Sequence, residues 1–218
     1  MTLKLVIGNK NYSSWSMRPW LALRANSIPF EEIFISLYSG EADKQRILDF
    51  TRSGKVPVLV DGDVTIWDSL AIIEYVAERF PEKRLWPEHP SRRAHARSVS
   101  AEMHSGFAAL RNECGMNLHR PVGAIELSAE ARANIARVQE IWGDCRARYG
   151  QSGTFLFGDF TAVDAMFAPV VHRFRTYAVA VTAETQRYMD TMMALPAFQE
   201  WTKAGLAETI VIEKFETV

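Results

Sequence analysis

Residues 55–80 read KVPVLVDGDVTIWDSLAIIEYVAERF, and this stretch decides the fold of the first part of the chain. Two short apolar runs, residues 56–60 and 64–67, flank an Asp-Gly pair, which is typical of a β-hairpin. An Asp-Ser pair then precedes apolar residues at helical spacing, and a proline at position 81 ends that pattern. The stretch therefore predicts two hairpin strands followed by a helix.

The residues before this stretch alternate between strand-like and helix-like patterns. Residues 3–7 and 31–37 are rich in apolar and β-branched residues and predict two further strands. Helices are predicted over residues 16–26 and 41–51. Pro19 should lie in the first turn of the earlier helix, because proline is tolerated where helical N–H groups have no partner. The order β-α-β-α-β-β-α predicts an α/β domain with a mixed four-stranded sheet and helices on its faces.

A change in composition at residues 81–90 predicts a domain boundary. This segment holds three prolines and no periodicity, which is typical of a linker. Strand-like runs precede it, and long helical patterns follow it. We therefore expect an α/β domain at residues 1–80, a linker at 81–90 and an all-helical domain at 91–218.

The second domain shows the pattern of a helical bundle. Long helices are predicted over residues 91–118 and 128–149. Thr161 and Asp164 form a capping box at the start of another helix. Two more helices are predicted over residues 183–193 and 196–205.

Composition indicates a folded protein with a small-molecule partner. Of 218 residues, 48% are hydrophobic, and 25 basic against 26 acidic side chains leave a net charge of −1, so no field attracts nucleic acid or an anionic membrane. Cys114 and Cys145 form neither a C-x-x-C pair nor a zinc pattern, so we expect no dithiol redox chemistry and no metal. With no signal-peptide pattern and no membrane-length apolar run, we expect a cytoplasmic protein.

Hydroxyl groups cluster where the first strand gives way to the first helix. Tyr12, Ser13, Ser14 and Ser16 stand close to the predicted helix start. A helix N-terminus offers unpaired N–H groups and a partial positive charge, which favour an anion or a thiolate. Helix capping alone is the alternative explanation for these serines.

The element order and three motifs resemble those of cytosolic glutathione transferases. That family carries a Val-Pro with a cis proline at the third strand, and Val56-Pro57 stands there. Its Ser-x-Ala-Ile-x-x-Tyr pattern matches residues 69–75, and its cap and staple motif matches residues 161–164. The resemblance implies a thioredoxin-like first domain, glutathione as co-substrate, a small electrophile as second substrate, a detoxification role and a homodimer.

The start of the first helix is most similar to the zeta-type, serine-using branch, with its Ser-Ser-Cys-x-Trp-x-x-Arg signature. Anchoring on Trp15 and Arg18 places Asn11 and Tyr12 at the two serines and Ser13 at the cysteine. The hydroxyl that stabilises the thiolate therefore stays open among Tyr12, Ser13 and Ser14. The zeta type also uses a glutamine where this chain has Ala108, which weakens the prediction of isomerase activity.

The resemblance assigns roles around glutathione. Ser13 and Ser14 would donate to the thiolate, with Tyr12 beside them, because no neighbouring histidine or carboxylate could activate a serine as nucleophile. The backbone of Val56, turned outward by Pro57, would pair with the cysteinyl residue. Ser69 would bind the γ-glutamyl carboxylate and Asp68 its ammonium, although both also suit a plain helix cap. Lys55 would meet the glycyl carboxylate, unless it is only an exposed loop lysine.

The second substrate should lie between the domains. Trp15 is expected in the pocket wall. On a helix over residues 101–112, His104 and Arg111 would share a face with Phe107 between them, and could bind an anionic or carbonyl-bearing electrophile. A solvated polar stripe is the alternative for that face. Arg173 and Arg175 are further candidates.

Three other functions compete with conjugation. A chain of this fold could be a non-catalytic ligand-binding or protein-interaction module, since fold alone does not decide function. It could also be a glutathione-dependent cis-trans isomerase of the maleylacetoacetate type. A dithiol oxidoreductase is disfavoured because the motif lacks a cysteine.

Overall fold

The computed structural model describes residues 2–38 and 40–216. The first part of the chain contains seven elements: β1 (Leu3–Ile7), α1 (Ser14–Ala25), β2 (Phe30–Phe34), α2 (Glu41–Phe50), β3 (Val58–Asp61), β4 (Val64–Ile66) and α3 (Ser69–Arg79). The strand order is β2-β1-β3-β4, with β1 and β2 parallel and the other pairs antiparallel. The predicted order of elements and the mixed four-stranded sheet are confirmed.

The alternation of side chains along β1 separates two layers of core. Leu5 and Ile7 are fully buried on the face that packs against α1 and α3, together with Leu59 of β3. Val6 is buried on the opposite face with Ile47 of α2. Because strand residues alternate between faces, one short apolar strand supports helices on both sides of the sheet.

All the regular elements described in the second part of the chain are helices. It contains α4 (Pro90–Ser105), α5 (Ala108–Glu113), α6 (Ala129–Tyr149), α7 (Ala162–Thr176), α8 (Ala183–Ala194) and α9 (Pro196–Leu206). Nearly every residue of α7 is buried, and this helix contacts α1, α4 and α8. The predicted capping box is present at its start, between Thr161 and Asp164. No helix in the described part of the chain is both long and apolar enough to cross a lipid bilayer.

The proline-rich segment between the two parts is packed rather than loose. It begins with a short 3-10 turn, Pro81–Lys83. Leu85 and Trp86 are then buried, and the Trp86 indole N–H donates to Glu74 of α3 at 3.1 Å. The Leu85 carbonyl accepts from the Ala162 N–H at 2.7 Å, which ties this segment to the start of α7.

The prediction of a continuous helix over residues 91–118 is wrong, because the helix is interrupted after α4. Gly106 is extended, and Phe107 has a left-handed backbone, φ 59°. The Phe107 ring is buried in the core, which compensates this unfavourable conformation. A new helix, α5, then starts at Ala108.

Two further boundaries differ from the predictions near the cavity. α1 begins at Ser14, two residues early, because the Ser13 hydroxyl accepts from the Ser16 N–H at 3.3 Å and caps the helix. Pro19 therefore lies in the second turn, and its predicted place in the first turn is wrong. β2 ends at Phe34, three residues before its predicted end, where the chain turns toward Tyr38, φ 59°.

Candidate active site

A cavity of about 1400 Å³ lies between the sheet domain and the helical domain. The loops at the edge of the sheet form one side, and residues of α5, α7 and the C-terminal tail form the other. Among the predicted site residues, those that line the cavity are Tyr12, Ser13, Ser14, Trp15, Lys55, Val56, Pro57, Asp68, Arg111 and Arg173. The cavity therefore collects residues that are distant in sequence.

Two buried asparagines hold the loop that leads into α1. The Asn9 carbonyl accepts from the N–H groups of Tyr12 and Ser13 at 3.1 and 2.7 Å. The Asn11 side-chain oxygen accepts from the Leu118 N–H at 2.6 Å, across the domain interface. Since both asparagines are fully buried, the start of α1 has a fixed position relative to the helical domain.

The two serines at this helix start make different contacts. The Ser13 hydroxyl donates to the Ser16 hydroxyl at 2.8 Å and accepts from the Ser16 N–H, so the capping explanation holds for Ser13. The Ser14 hydroxyl accepts from the Arg173 guanidinium at 3.2 Å. Ser14 therefore keeps its own proton for a ligand, and the arginine increases the acidity of that proton.

The Tyr12 hydroxyl is committed to the C-terminal tail. It donates to the Glu216 carboxylate at 2.5 Å and accepts from the Ile212 N–H at 3.3 Å. Burial, together with the Glu216 hydrogen bond, raises the pKa of Tyr12. Tyr12 therefore lines the wall of the cavity, but its hydroxyl is already hydrogen-bonded and is not available to donate to a thiolate.

The other predicted glutathione contacts lie just before β3 and at the start of α3. The Val56–Pro57 peptide bond is cis, and Lys55 is exposed beside it. Asp68 caps α3 by accepting from the Leu70 N–H at 3.1 Å. Ser69 is fully buried and does not line the cavity, and its hydroxyl has no hydrogen-bond partner among the described residues.

The helical face predicted to carry His104, Phe107 and Arg111 does not exist, since the break after α4 separates the three. His104 Nε2 lies 3.1 Å from Asp68 Oδ2, and its ring meets the Trp15 ring edge-on at 5.4 Å. Phe107 is a core residue. Of these three residues, only Arg111 lines the cavity, and its guanidinium donates to the carbonyls of Met103 and His104 at 3.3 Å.

Three arginines surround the Ser14 end of the cavity. Arg18 is 1% exposed, and its guanidinium carbon lies 4.3 Å from the centre of the Trp15 ring. Its Nε and Nη1 have no hydrogen-bond partner among the described residues. Burial, followed by repulsion from Arg173 and Arg111, lowers the pKa of Arg18 to about 9, and burial lowers the pKa of Arg173 to about 10. These two desolvated positive charges, with Asp68 as a carboxylate whose charge acts on Arg18, favour an anionic ligand beside Ser14.

Sequence reasoning missed part of this cluster. Arg18 follows Ser14 by four residues on one helix, so helical spacing could have placed it near the site. Arg175, the other predicted arginine, is exposed and lines a separate groove of about 390 Å³ with Phe198 and Lys203. No local signal marks Lys214 and Phe215, which line the cavity from the C-terminal tail.

Neither cysteine lines the cavity. Cys114 and Cys145 are free and fully buried. Burial raises the pKa of Cys114 to about 11 and that of Cys145 to about 12. Neither residue forms a ready thiolate near neutral pH, so a reactive thiol in this cavity has to be supplied by a ligand.

Comparison with known proteins places this architecture in one family. Models for the N-terminal and C-terminal domains of glutathione S-transferases match residues 12–79 and 93–204. A maleylacetoacetate isomerase from Pseudomonas aeruginosa is 28% identical over 219 residues, covering 95% of this chain and 99% of that protein. Glutathione S-transferase 1 from Dianthus caryophyllus is 33% identical over 137 residues, and a probable maleylacetoacetate isomerase from Caenorhabditis elegans is 42% identical over 101 residues. These two matches span only 62% and 46% of the relatives' lengths.

Solved structures agree on the fold. A glutathione transferase homologue from Burkholderia with bound glutathione superposes with a TM-score of 0.71 and 22% identity, covering 95% of this chain and all of that one. A diazinon-metabolizing glutathione S-transferase from the silkworm Bombyx mori gives a TM-score of 0.73 at 16% identity, covering 94% and 98% of the two chains. With both domain models matched, the chain belongs to the glutathione S-transferase family.

Proposed function

We propose that this chain is a glutathione transferase that stabilises the glutathione thiolate with Ser14 and adds it to a small electrophile. The observation that carries the proposal is the Ser14 hydroxyl, which accepts from Arg173 at the capped start of α1, inside a cavity that also contains cis-Pro57 and Asp68. Glutathione would lie along the sheet edge, with its sulfur at Ser14 and its γ-glutamyl group at Asp68.

One hydrogen-bond donor is sufficient to make the thiolate the main form of bound glutathione at neutral pH. A free thiol titrates at about pH 8.5, so only a few per cent is thiolate at neutral pH. A charge-assisted hydrogen bond contributes about 1.5–3 kcal/mol, which lowers a pKa by roughly one to two units. The helix N-terminus and the arginines around Ser14 act in the same direction.

The remaining glutathione contacts follow the polarity of the cavity. The backbone of Val56 would pair with the cysteinyl residue, and Asp68 would receive the γ-glutamyl ammonium. The unpartnered Ser69 hydroxyl, at the start of α3, suits the adjacent carboxylate. Lys55 would meet the glycyl carboxylate from the exposed rim.

The second substrate would occupy the side lined by Trp15, Arg111 and Arg173. Two desolvated guanidiniums there favour an electrophile with a negative or strongly polar group. We assign His104 and Phe107 no direct contact with it, since His104 pairs with Asp68 and Phe107 is buried.

A glutathione-dependent isomerase is the second candidate, and the Pseudomonas relative supports it by its name and by coverage of 99% of its length. In that reaction the thiolate adds to one carbon of a conjugated double bond, the resulting single bond rotates, and the sulfur leaves again. Glutathione is then unchanged, whereas conjugation consumes it. Loss of free thiol during turnover distinguishes the two reactions.

Family membership supports proposals about localisation, oligomeric state, biological role and domain division. We propose a cytoplasmic homodimer with a detoxification role, with the domain division at residues 81–90. Sedimentation of the purified chain at two concentrations tests the dimer.

Two measurements test the proposed function. Calorimetry should detect glutathione binding, and absence of binding would contradict conjugation and isomerisation alike. The bound thiolate, followed by its absorbance near 240 nm, should titrate roughly one to two units higher in Ser14→Ala than in the wild type. Ser13→Ala is the matched control, and an equal shift in that variant would disprove the assignment of Ser14.

A further inference from the structure

The chain after α9 crosses from the helical domain to the sheet domain and is attached at two places. At the first, the two Glu208 carboxylate oxygens accept from the N–H groups of Lys10 and Asn11 at 2.6 and 3.2 Å. α9 can approach this loop closely because Gly205 has no side chain, and a Cβ there would lie 3.1 Å from the Lys10 carbonyl carbon. The tail, residues 207–216, therefore starts beside the end of β1.

The second attachment is centred on Tyr12. Its hydroxyl binds the Glu216 carboxylate and the Ile212 N–H, at opposite ends of the tail's last turn. Asn117 of the helical domain donates to the same Glu216 oxygen at 3.0 Å. One buried hydroxyl thus connects both ends of the turn to the start of α1.

Between these contacts, the tail presents two side chains to the cavity. The Phe215 ring stacks on Tyr12 at 5.6 Å and meets Tyr38 edge-on at 5.5 Å. The Lys214 ammonium lies 5.1 Å from the centre of the Tyr38 ring. Both residues line the cavity, where Lys214 is exposed to solvent whereas Arg173 is buried.

We propose that Lys214 of the tail selects electrophiles that carry a carboxylate. Phe215 and Tyr38 form an aromatic wall against the flat body of the substrate, and the Lys214 ammonium receives a carboxylate at the end away from the reacting carbon. Tyr12 and Glu216 are positioning residues that hold this wall in place. The preferred second substrate is therefore a planar electrophile that carries a carboxylate.

The proposal rests on the proposed function, because the electrophile has to meet a glutathione thiolate. With an aryl chloride, the sulfur forms a bond to the ring carbon, the carbon–chlorine bond breaks, and chloride leaves. The thiol proton passes to solvent when the thiolate forms, so atoms and charge balance.

The test compares two electrophiles that differ by a carboxylate: 4-chloro-3,5-dinitrobenzoate and the neutral 2-chloro-1,3-dinitrobenzene. Lys214→Gln should raise KM for the benzoate about fivefold and leave KM for the neutral compound unchanged, since a rim ion pair contributes up to about 1 kcal/mol. Equal effects on both compounds would overturn recognition of the carboxylate.

The positioning role has its own readouts. Tyr12→Phe keeps the ring but removes the hydroxyl, and Glu216→Ala removes its partner. Each should raise KM for both electrophiles by roughly fivefold and speed amide deuterium exchange in residues 209–216, with the pKa of bound thiolate unchanged. Glu213→Ala, an exposed glutamate on the same turn, is the matched control and should change neither quantity.

The outcomes separate the two proposals. A higher thiolate pKa in Tyr12→Phe would overturn the positioning role and make Tyr12 a thiolate donor. Unchanged deuterium exchange in both variants would also overturn it. If the wild-type chain binds no glutathione, both the proposed function and the substrate role of the tail are overturned. If the wild type binds glutathione but the Tyr12 and Lys214 variants keep the wild-type KM for both electrophiles, only the proposal about the tail is overturned.

Discussion

The two ends of the cavity both lie at capped helix starts, yet they suit opposite charges. At α1, Ser13 is the cap, and Arg18, Arg111 and Arg173 surround the neighbouring Ser14. At α3, the cap is the carboxylate of Asp68, which is exposed and adjoined by His104. Both helix starts supply N–H groups, so the cap residue and the charges contributed by other elements decide the ligand. The charges at the α1 end therefore favour an anion such as a thiolate, and the exposed Asp68 carboxylate at the α3 end favours a cation such as an ammonium.

Placing a carboxylate at the α1 cap should have the largest effect. Ser13→Asp keeps a good cap but puts a negative charge beside the thiolate, and two like charges about 4–5 Å apart repel by roughly 3–4 kcal/mol at an effective dielectric constant of about 20. We expect conjugation to fall by more than about a hundredfold and the bound thiolate to titrate higher. Ser13→Asn, a neutral cap of the same shape, is the control. An active Ser13→Asp variant would show that the α1 end does not depend on charge.

Removing the arginine that contacts Ser14 should have the next largest effect. Arg173→Met loses the donor to Ser14 and to the Cys114 carbonyl, which accepts at 2.8 Å. One charge-assisted hydrogen bond corresponds to a roughly ten- to hundredfold loss of kcat/KM. Arg175→Met changes the exposed arginine two residues later on the same helix and should stay within about twofold of the wild type. If both variants behave alike, the effect is on folding rather than on the thiolate.

Neutralising the α3 cap should weaken glutathione binding without changing the thiolate. Asp68→Asn retains a capping oxygen and should raise KM for glutathione about tenfold, with the bound thiolate pKa unchanged. An analogue of glutathione that lacks the α-amino group should bind the variant and the wild type equally. Asp63→Asn, in the exposed hairpin turn, is the control. Equal losses for glutathione and the analogue would exclude the ammonium as the partner of Asp68.

Removing the neighbour of Asp68 should give the smallest effect. His104→Ala deletes a partly exposed pair, and such pairs contribute about 0.2–1 kcal/mol, so KM for glutathione should rise no more than about fivefold. In an Asp68→Asn background, the same change should have no further effect on KM. Additive losses in the double variant would mean that His104 acts elsewhere, for example through the Trp15 ring that it contacts.

Predictions from the sequence agree with the structure where a feature depends on residues close together in the chain. Hydrophobic periodicity and the Asp-Gly turn predicted the sheet and its helices, and the capping box at Thr161 and Asp164 forms within one helix start. The prediction of an unbroken helix over residues 91–118 was wrong because burial of the Phe107 ring overrides helical propensity there. That burial is a tertiary effect, which local sequence does not show.

Sequence by itself determined the fold class and the family resemblance, and it made the hydroxyl groups, the Val-Pro and the Asp-Ser candidates for one site. Only the tertiary structure decided which of these hydroxyls keeps its proton for a ligand. Ser14 is distinguished from Ser13 by Arg173, 159 residues later, and Tyr12 is occupied by Glu216, 204 residues later. Local spacing specifies turns, strands and helix starts, because those depend on neighbouring residues. Hydrogen bonds and charges from remote elements specify the chemistry, since they exist only after the two domains have packed together.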